Sequence, residues 1–238
     1  MSERYSWRGG SEMLLRHGEG LPVTVLVLPA LFEEANRMRR FTVSVMRALA
    51  VRGIGSVLPD LPGTGESLTP LANVSLDDWR DAVGALADAM RGAGRGAGRE
   101  ETGRCLTLAI RGGAILDGLA DFGWRLAPET GERVLRDLVR ATALSSGVSA
   151  TEIDRRARAE ATALAGQVIS PALYNELLTA PLQAANRHTA RLTEDVGLRD
   201  SSLLGTRLWR NAEPGDDPDF VATASAAIAD WTAQCVAT

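Results

Sequence analysis

Three short segments, VTVLVLPA (Val23–Ala30), GIGSVLPD (residues 53–60) and RCLTLAI (residues 104–110), are apolar along nearly their whole length instead of at every second position. A strand with this pattern is buried on both faces, and such strands belong to mainly parallel sheets with helices packed above and below. The intervening segments supply those helices. Met38, Phe41, Val45 and Leu49 form one helical stripe, and Trp79, Val83, Leu86 and Met90 form another. Ser75 with Asp78 three residues on predicts the start of the second helix as a near capping box. The order strand, helix, strand, helix defines an α/β architecture with a mainly parallel sheet and helices on both faces.

The rest of the chain fits around that frame. RYSWRGGSEMLLR (residues 4–16) predicts a hairpin turning at Gly9-Gly10. RGAGRGAGREETG (Arg91–Gly103) reads as a flexible, exposed connection. DFGWRLAP, HTARLTED and SSLLGTRLWR read as later strands, and a closing helix starts near Pro218. Between them, helices are expected over about 130–146, 149–168 and 171–180, a small helical cap inserted at about 130–180 in a single domain spanning 1–238.

Charge and composition narrow the function classes. A net charge of -4 gives no general attraction to nucleic acid or anionic membranes, and no apolar run reaches the ~20 residues that span a bilayer. No secretory leader precedes Tyr5, so a cytoplasmic protein is expected. All 26 basic residues are Arg, so Lys-based chemistry is absent. Cys105 and Cys235 form no metal or redox spacing, and both are expected as buried free thiols. No metal or cofactor is expected: neither a GxGxxG after the first buried strand nor a P-loop is present.

Ligands of open α/β sheets bind beyond the carboxyl ends of the strands, so the residues there matter most. The third buried strand ends in Ala109-Ile110-Arg111-Gly112-Gly113, which reads as a tight turn and then the start of a helix. In α/β-hydrolases the corresponding turn is G-x-S-x-G, with a nucleophilic serine at its centre. The small flanking residues are kept here, but the centre is arginine, which is always protonated and cannot act as nucleophile. Its charge calls for an internal carboxylate, Glu33 or Glu34, or for an anionic ligand. After the first buried strand, LFEEANR offers backbone N–H groups at Leu31 or Phe32, which with Gly112 would build an oxyanion hole. Glu33, Glu34 and Asn36 follow as catalytic candidates beside Arg111, although acidic residues also suit a helix amino end. Asp60, in PDLPGTGES, reads as an architectural loop residue. Glu194 and Asp195 end a late strand where a triad acid could stand. The last loop contains no His, however, and His17 and His188 lie elsewhere.

Taken together, LPALFEEANRMRR, LPDLPGTGES, DDWRDA, AIRGGAIL, LAPETGERVLRDLVR, ISPAL and LWRNAE resemble the α/β-hydrolase-like proteins named exosortase A system-associated hydrolase 2. The likeness covers most of the chain, and its Glu-Glu-x-Asn-x-x-Arg-Arg run is not general to α/β-hydrolases. The resemblance implies an α/β-hydrolase fold and a bacterial setting with extracellular-polysaccharide and exosortase-type sorting genes. It also implies that Arg111 is not an isolated loss, and it raises Glu33, Glu34, Asn36, Arg39 and Arg40 as site candidates; Arg39, Arg40 and Trp209 are the ligand-binding candidates.

Two functions remain open. One is ester or thioester hydrolysis at a non-standard site, with Glu33 or Glu34 as base and Arg111 holding negative charge on a small anionic or acyl substrate. The other is a non-catalytic member of the fold that captures an anion at Arg111 or docks a partner. An ordinary Ser-His-Asp mechanism is excluded, because two of its three members are absent.

Overall fold

The computed structural model describes residues 2–96 and 104–237. Ten strands form two sheets among the described residues. The large sheet has the order β1-β2-β4-β3-β5-β6-β9-β10. Its strands are β1 (Ser2–Trp7), β2 (Gly10–His17), β3 (Val23–Leu28), β4 (Ile54–Pro59), β5 (Leu106–Ile110), β6 (Phe122–Leu126), β9 (Arg187–Leu192) and β10 (Ser201–Leu203). Only β2 runs against its neighbours. The three apolar segments became the adjacent central strands β4, β3 and β5, which explains why they lack a polar face.

Helices cover both faces. On one side α1 (Glu33–Val51) packs on α6 (Pro218–Ala237), with Met38, Phe41, Val45 and Leu49 buried against Phe220, Ile228 and Cys235. Phe41 and Phe220 stack there at 4.5 Å. On the other side lies α2 (Leu76–Gly96), joined by α3 (Gly131–Ser146), α4 (Ala150–Ala159) and α5 (Pro171–Thr179). Leu135, Ile153, Tyr174 and Leu177 of the last three share one apolar core with Leu26, Leu28 and Trp79. The capping box at α2 forms: Ser75 Oγ accepts from Asp78 N at 3.1 Å, and Asp78 Oδ2 accepts from Ser75 N at 2.9 Å.

Four local expectations are corrected. The helix expected over 149–168 stops at Ala159, and Thr162–Leu164 (β7) and Gln167–Ile169 (β8) form a hairpin. Ala165 and Gly166, with φ 47° and 83°, make the two-residue turn whose handedness matches paired strands. The strand expected in SSLLGTRLWR ends at Leu203, where the chain leaves the sheet to pass α6 so closely that a Cβ on Gly205 would lie 2.4 Å from the Phe220 ring. The segment after Ile110 is 3-10 and not α-helical (Arg111–Leu119), as suits a run containing three glycines. The Gly-rich connection begins later than expected, because α2 continues to Gly96; residues 97–103 lie outside the described residues.

Asp217 caps α6. Its Oδ1 accepts from Phe220 N at 2.9 Å, and its Oδ2 accepts from the Thr206 N–H and hydroxyl, each at 2.9 Å. Burial alone would raise its pKa, but these hydrogen bonds outweigh burial and hold the carboxyl below its ordinary value. A depressed carboxylate contributes stability above its unfolded pKa and loses it as pH falls through the folded value. Asp217→Ala should therefore cost about 1 kcal/mol at pH 7. Urea denaturation of both proteins should show that difference shrinking below about pH 4.

Candidate functional site

Non-glycine residues with positive φ gather at the carboxyl ends of three neighbouring strands. Phe32 (φ 55°), Arg111 (φ 54°) and Ala127 (φ 43°) follow β3, β5 and β6. Such conformations persist only where the surroundings over-determine them, and they mark functional or tightly constrained points. The glycines after Arg111 permit the crowding. A Cβ on Gly113 would lie 2.4 Å from the Pro29 carbonyl oxygen, and one on Gly112 would lie 3.1 Å from the Leu31 side chain. Leu31 and Gly112 thus abut.

Arg111 is only 6% exposed, and its guanidinium is engaged on all sides. Nε and Nη2 donate to the Glu34 carboxylate at 3.1 and 3.0 Å, while Nη1 donates to the Ala127 carbonyl at 2.9 Å and to Glu129 Oε1 at 3.0 Å. The Trp209 ring lies against its face, 4.7 Å from Cζ. The Glu129 amide donates to the Arg111 carbonyl at 3.2 Å, closing the loop around the elbow. Glu129 is also 3.3 Å from the half-exposed Arg133, so two arginines balance two carboxylates.

The other predicted residues disperse. Glu33 turns away to Arg37 at 3.0 Å, and Arg37 in turn donates to the Trp209 carbonyl at 3.3 Å. Glu33 therefore does not share a site with Arg111, because successive helix positions point about 100° apart. Arg40 pairs with Asp216. Trp209 is 3% exposed and packs on Arg111. Asp195, at the end of β9, is held by Arg207 at 2.8 Å. His188 bonds Ser201 at 2.8 Å and stacks on Trp124, in the amino-terminal half of β9 and away from the elbow. Sequence reasoning missed Glu129. Its one signal is its place before Thr130, whose hydroxyl accepts from Arg133 N and starts α3.

Phe32, Asn36 and Arg39 meet at a separate cavity of about 580 Å³. It lies between the β3–α1 loop, the loop after β4 and the β7–β8 hairpin, with Leu58, Leu61, Leu71 and Val168 as apolar walls and Asp60 at one side. Asp60 serves the architecture expected of it. Its Oδ2 accepts from Glu66 N at 3.0 Å, its backbone carbonyl accepts from the Tyr5 hydroxyl at 2.8 Å, and a Cβ on Gly65 would lie 2.4 Å from its carboxyl carbon. Burial first, then the charges of Glu12 and Asp60, push the Tyr5 pKa upward, keeping that hydroxyl a donor. Among the described residues, no group of three or more His, Cys, Asp or Glu side chains could hold a metal ion. No helix among them is long and apolar enough to cross a membrane.

The strand order, the reversed β2 and the sharp turn after β5 define the α/β-hydrolase fold. Solved structures agree. The chain is similar to Est1E from Butyrivibrio proteoclasticus, a structure with bound ferulic acid, at TM-score 0.61 and 13% identity, covering 99% of this chain and 100% of that one. It is similar to XC6422 from Xanthomonas campestris, an α/β serine hydrolase without a lid, at TM-score 0.54 and 13% identity over 100% and 95% of the two chains. It is also similar to the bottromycin epimerase BotH in complex with bottromycin A2, at TM-score 0.53 and 14% identity over 99% of each. Against the epoxide hydrolase VrEH1 from Vigna radiata the match reaches only 46% of that chain, at TM-score 0.43. No protein-family model and no curated protein matches the sequence.

Removing one partner of a buried ion pair strands the other charge, at a cost of roughly 3–5 kcal/mol. Arg111→Met should destabilise by that order, since it leaves Glu34 and Glu129 facing each other. The triple variant Arg111→Met/Glu34→Gln/Glu129→Gln should recover most of the loss. Urea unfolding of the three proteins compares them directly, and a triple variant no more stable than the single one would contradict the assignment.

Proposed function

We propose that this chain is a ligand-binding member of the α/β-hydrolase fold that performs no elbow-based hydrolysis. One observation carries the reading. At the position of the nucleophile stands a buried guanidinium whose donors are taken up by Glu34, Glu129 and the Ala127 carbonyl. An incoming anion or a substrate carbonyl would have to compete with those bonds. Glu34 is equally committed, so neither group is free for acid–base work. The fold does not argue otherwise, since one fold hosts many functions and the similar BotH is an epimerase. The cavity beside Phe32 is within the usual size of small-molecule sites, about 300–1,000 Å³. The resemblance of LPALFEEANRMRR and AIRGGAIL to exosortase A system-associated hydrolase 2 supports a role beside bacterial extracellular-polysaccharide and sorting systems.

A second reading, ester or thioester hydrolysis with Glu34 as base, draws support from one feature. Phe32 keeps its strained backbone beside the elbow, where a hydrolase would offer an oxyanion donor. A panel of short- and long-chain acyl esters and thioesters separates the two. The binding reading expects no turnover above the uncatalysed rate and no difference between wild type, Arg111→Ala and Glu34→Gln. Turnover that falls by two or more orders of magnitude in either variant would reverse the order of the readings.

A further inference from the structure

We infer that the cavity between α1 and the β7–β8 hairpin takes a neutral polyhydroxylated ligand of monosaccharide or disaccharide size. This rests on the cavity being the ligand site, as proposed above. The charges of the lining select against charge in the ligand. Asp60 and Glu66 line the cavity together with Arg39, and Arg39 already lies 3.5 Å from Asp60. Glu33 and Glu34 fill the first turn of α1 and offset the positive end of that helix. An anion therefore meets no net attraction, and a cation meets the guanidinium. An uncharged ligand meets neither opposition and leaves the contact between Arg39 and Asp60 in place.

The unused polar groups set the rest of the ligand. Asn36 of α1 and Gln167 of the hairpin both line the cavity, and neither side-chain amide has a partner among the described residues. Each amide holds a donor and an acceptor in one plane. That pairing matches two neighbouring hydroxyls, each of which also donates and accepts. Arg39 keeps donors beyond its one long contact. The Asp60 side chain is 9% exposed, and its Oδ1 accepts nothing closer than that same 3.5 Å contact among the described residues. A ligand hydroxyl can accept from the first and donate to the second. The aliphatic share is small: Leu58 and Leu61 are buried, which leaves Leu71 and the 47% exposed Val168. Such a patch suits the C–H face of a sugar ring and not an alkyl chain. Phe32, the aromatic residue of the lining, is 4% exposed, so no ring face is offered to a nucleobase.

Protein-observed NMR titrations of the full chain with glucose, galactose, mannose, xylitol and maltose test this. Glucuronate, glucosamine in its ammonium form and cyclohexanol serve as the anionic, cationic and apolar controls. A neutral sugar should shift Phe32, Asn36 and Val168 and bind about tenfold or more tightly than each control. Asn36→Leu and Gln167→Leu should each weaken it by about fivefold, the scale of one neutral hydrogen bond. Both side chains lack partners, so these variants keep the fold. Arg39→Met should weaken the neutral sugar and tighten glucosamine, because the lining then carries carboxylates alone. A control binding as tightly as the neutral sugars, or full affinity kept in both Asn36→Leu and Gln167→Leu, would overturn the ligand class while the cavity remained the site. Shifts from every probe absent, or confined to residues away from Phe32, Asn36 and Val168, would overturn the cavity reading itself.

Discussion

The buried charge of Arg111 is the constraint on which the upper edge of the sheet depends. A guanidinium cannot shed its proton to escape an apolar site, so the protein must surround it. Four separate segments do this: β5 provides the arginine, α1 provides Glu34, the loop after β6 provides Ala127 and Glu129, and the turn after β10 provides Trp209. A second buried group works the same way at the far end of β6. Asp117, wholly buried, accepts two bonds from Arg125 at 2.7 and 2.8 Å and lies 3.3 Å from Arg187 of β9. Both knots are built from arginine in a chain that has no lysine. The planar fork lets one residue bridge several partners, where an ammonium would act as a point charge.

Occupying the elbow in this way changes what the fold can do. In a hydrolase the strain at this turn serves an exposed nucleophile. Here Arg111 keeps the positive φ, but its side chain is folded into the protein. An open cavity lies one strand over, beside β3 and β4. Its lining includes Phe32, Asn36 and Arg39, from the start of the same helix whose Glu34 closes the elbow. Different faces of EEANRMR thus meet the sealed elbow through Glu34 and line the open cavity through Asn36 and Arg39.

Much of this was legible in the sequence because it is short-range. Continuous apolar runs gave the central strands, helical stripes gave α1, α2 and α6, and small residues around Arg111 gave the turn. Glu34 was legible as one of two possible partners, and the choice over Glu33 is a matter of helical rotation that composition does not carry. Glu129 was not legible, because it meets Arg111 only through the adjacency of β5 and β6. The β7–β8 hairpin was missed because its strands are three residues each, too short to show a period of two. The cavity was invisible for the same reason as Glu129: its walls come from segments more than a hundred residues apart.

The pairing of β6 with β9 sets how the chain must assemble. Gly123 sits opposite Arg187, with α3, α4, the hairpin and α5 all strung between them. That long loop has to be closed before β9 can pair with β6, and β10 reaches the large sheet only through β9. Loop closure of this kind is an entropic cost met before the contacts reward it. Trp209, which shields Arg111, follows β10 in the chain. Cover over the elbow's charge therefore comes from a residue nearly a hundred positions further along the chain, brought there across the long connection between β6 and β9.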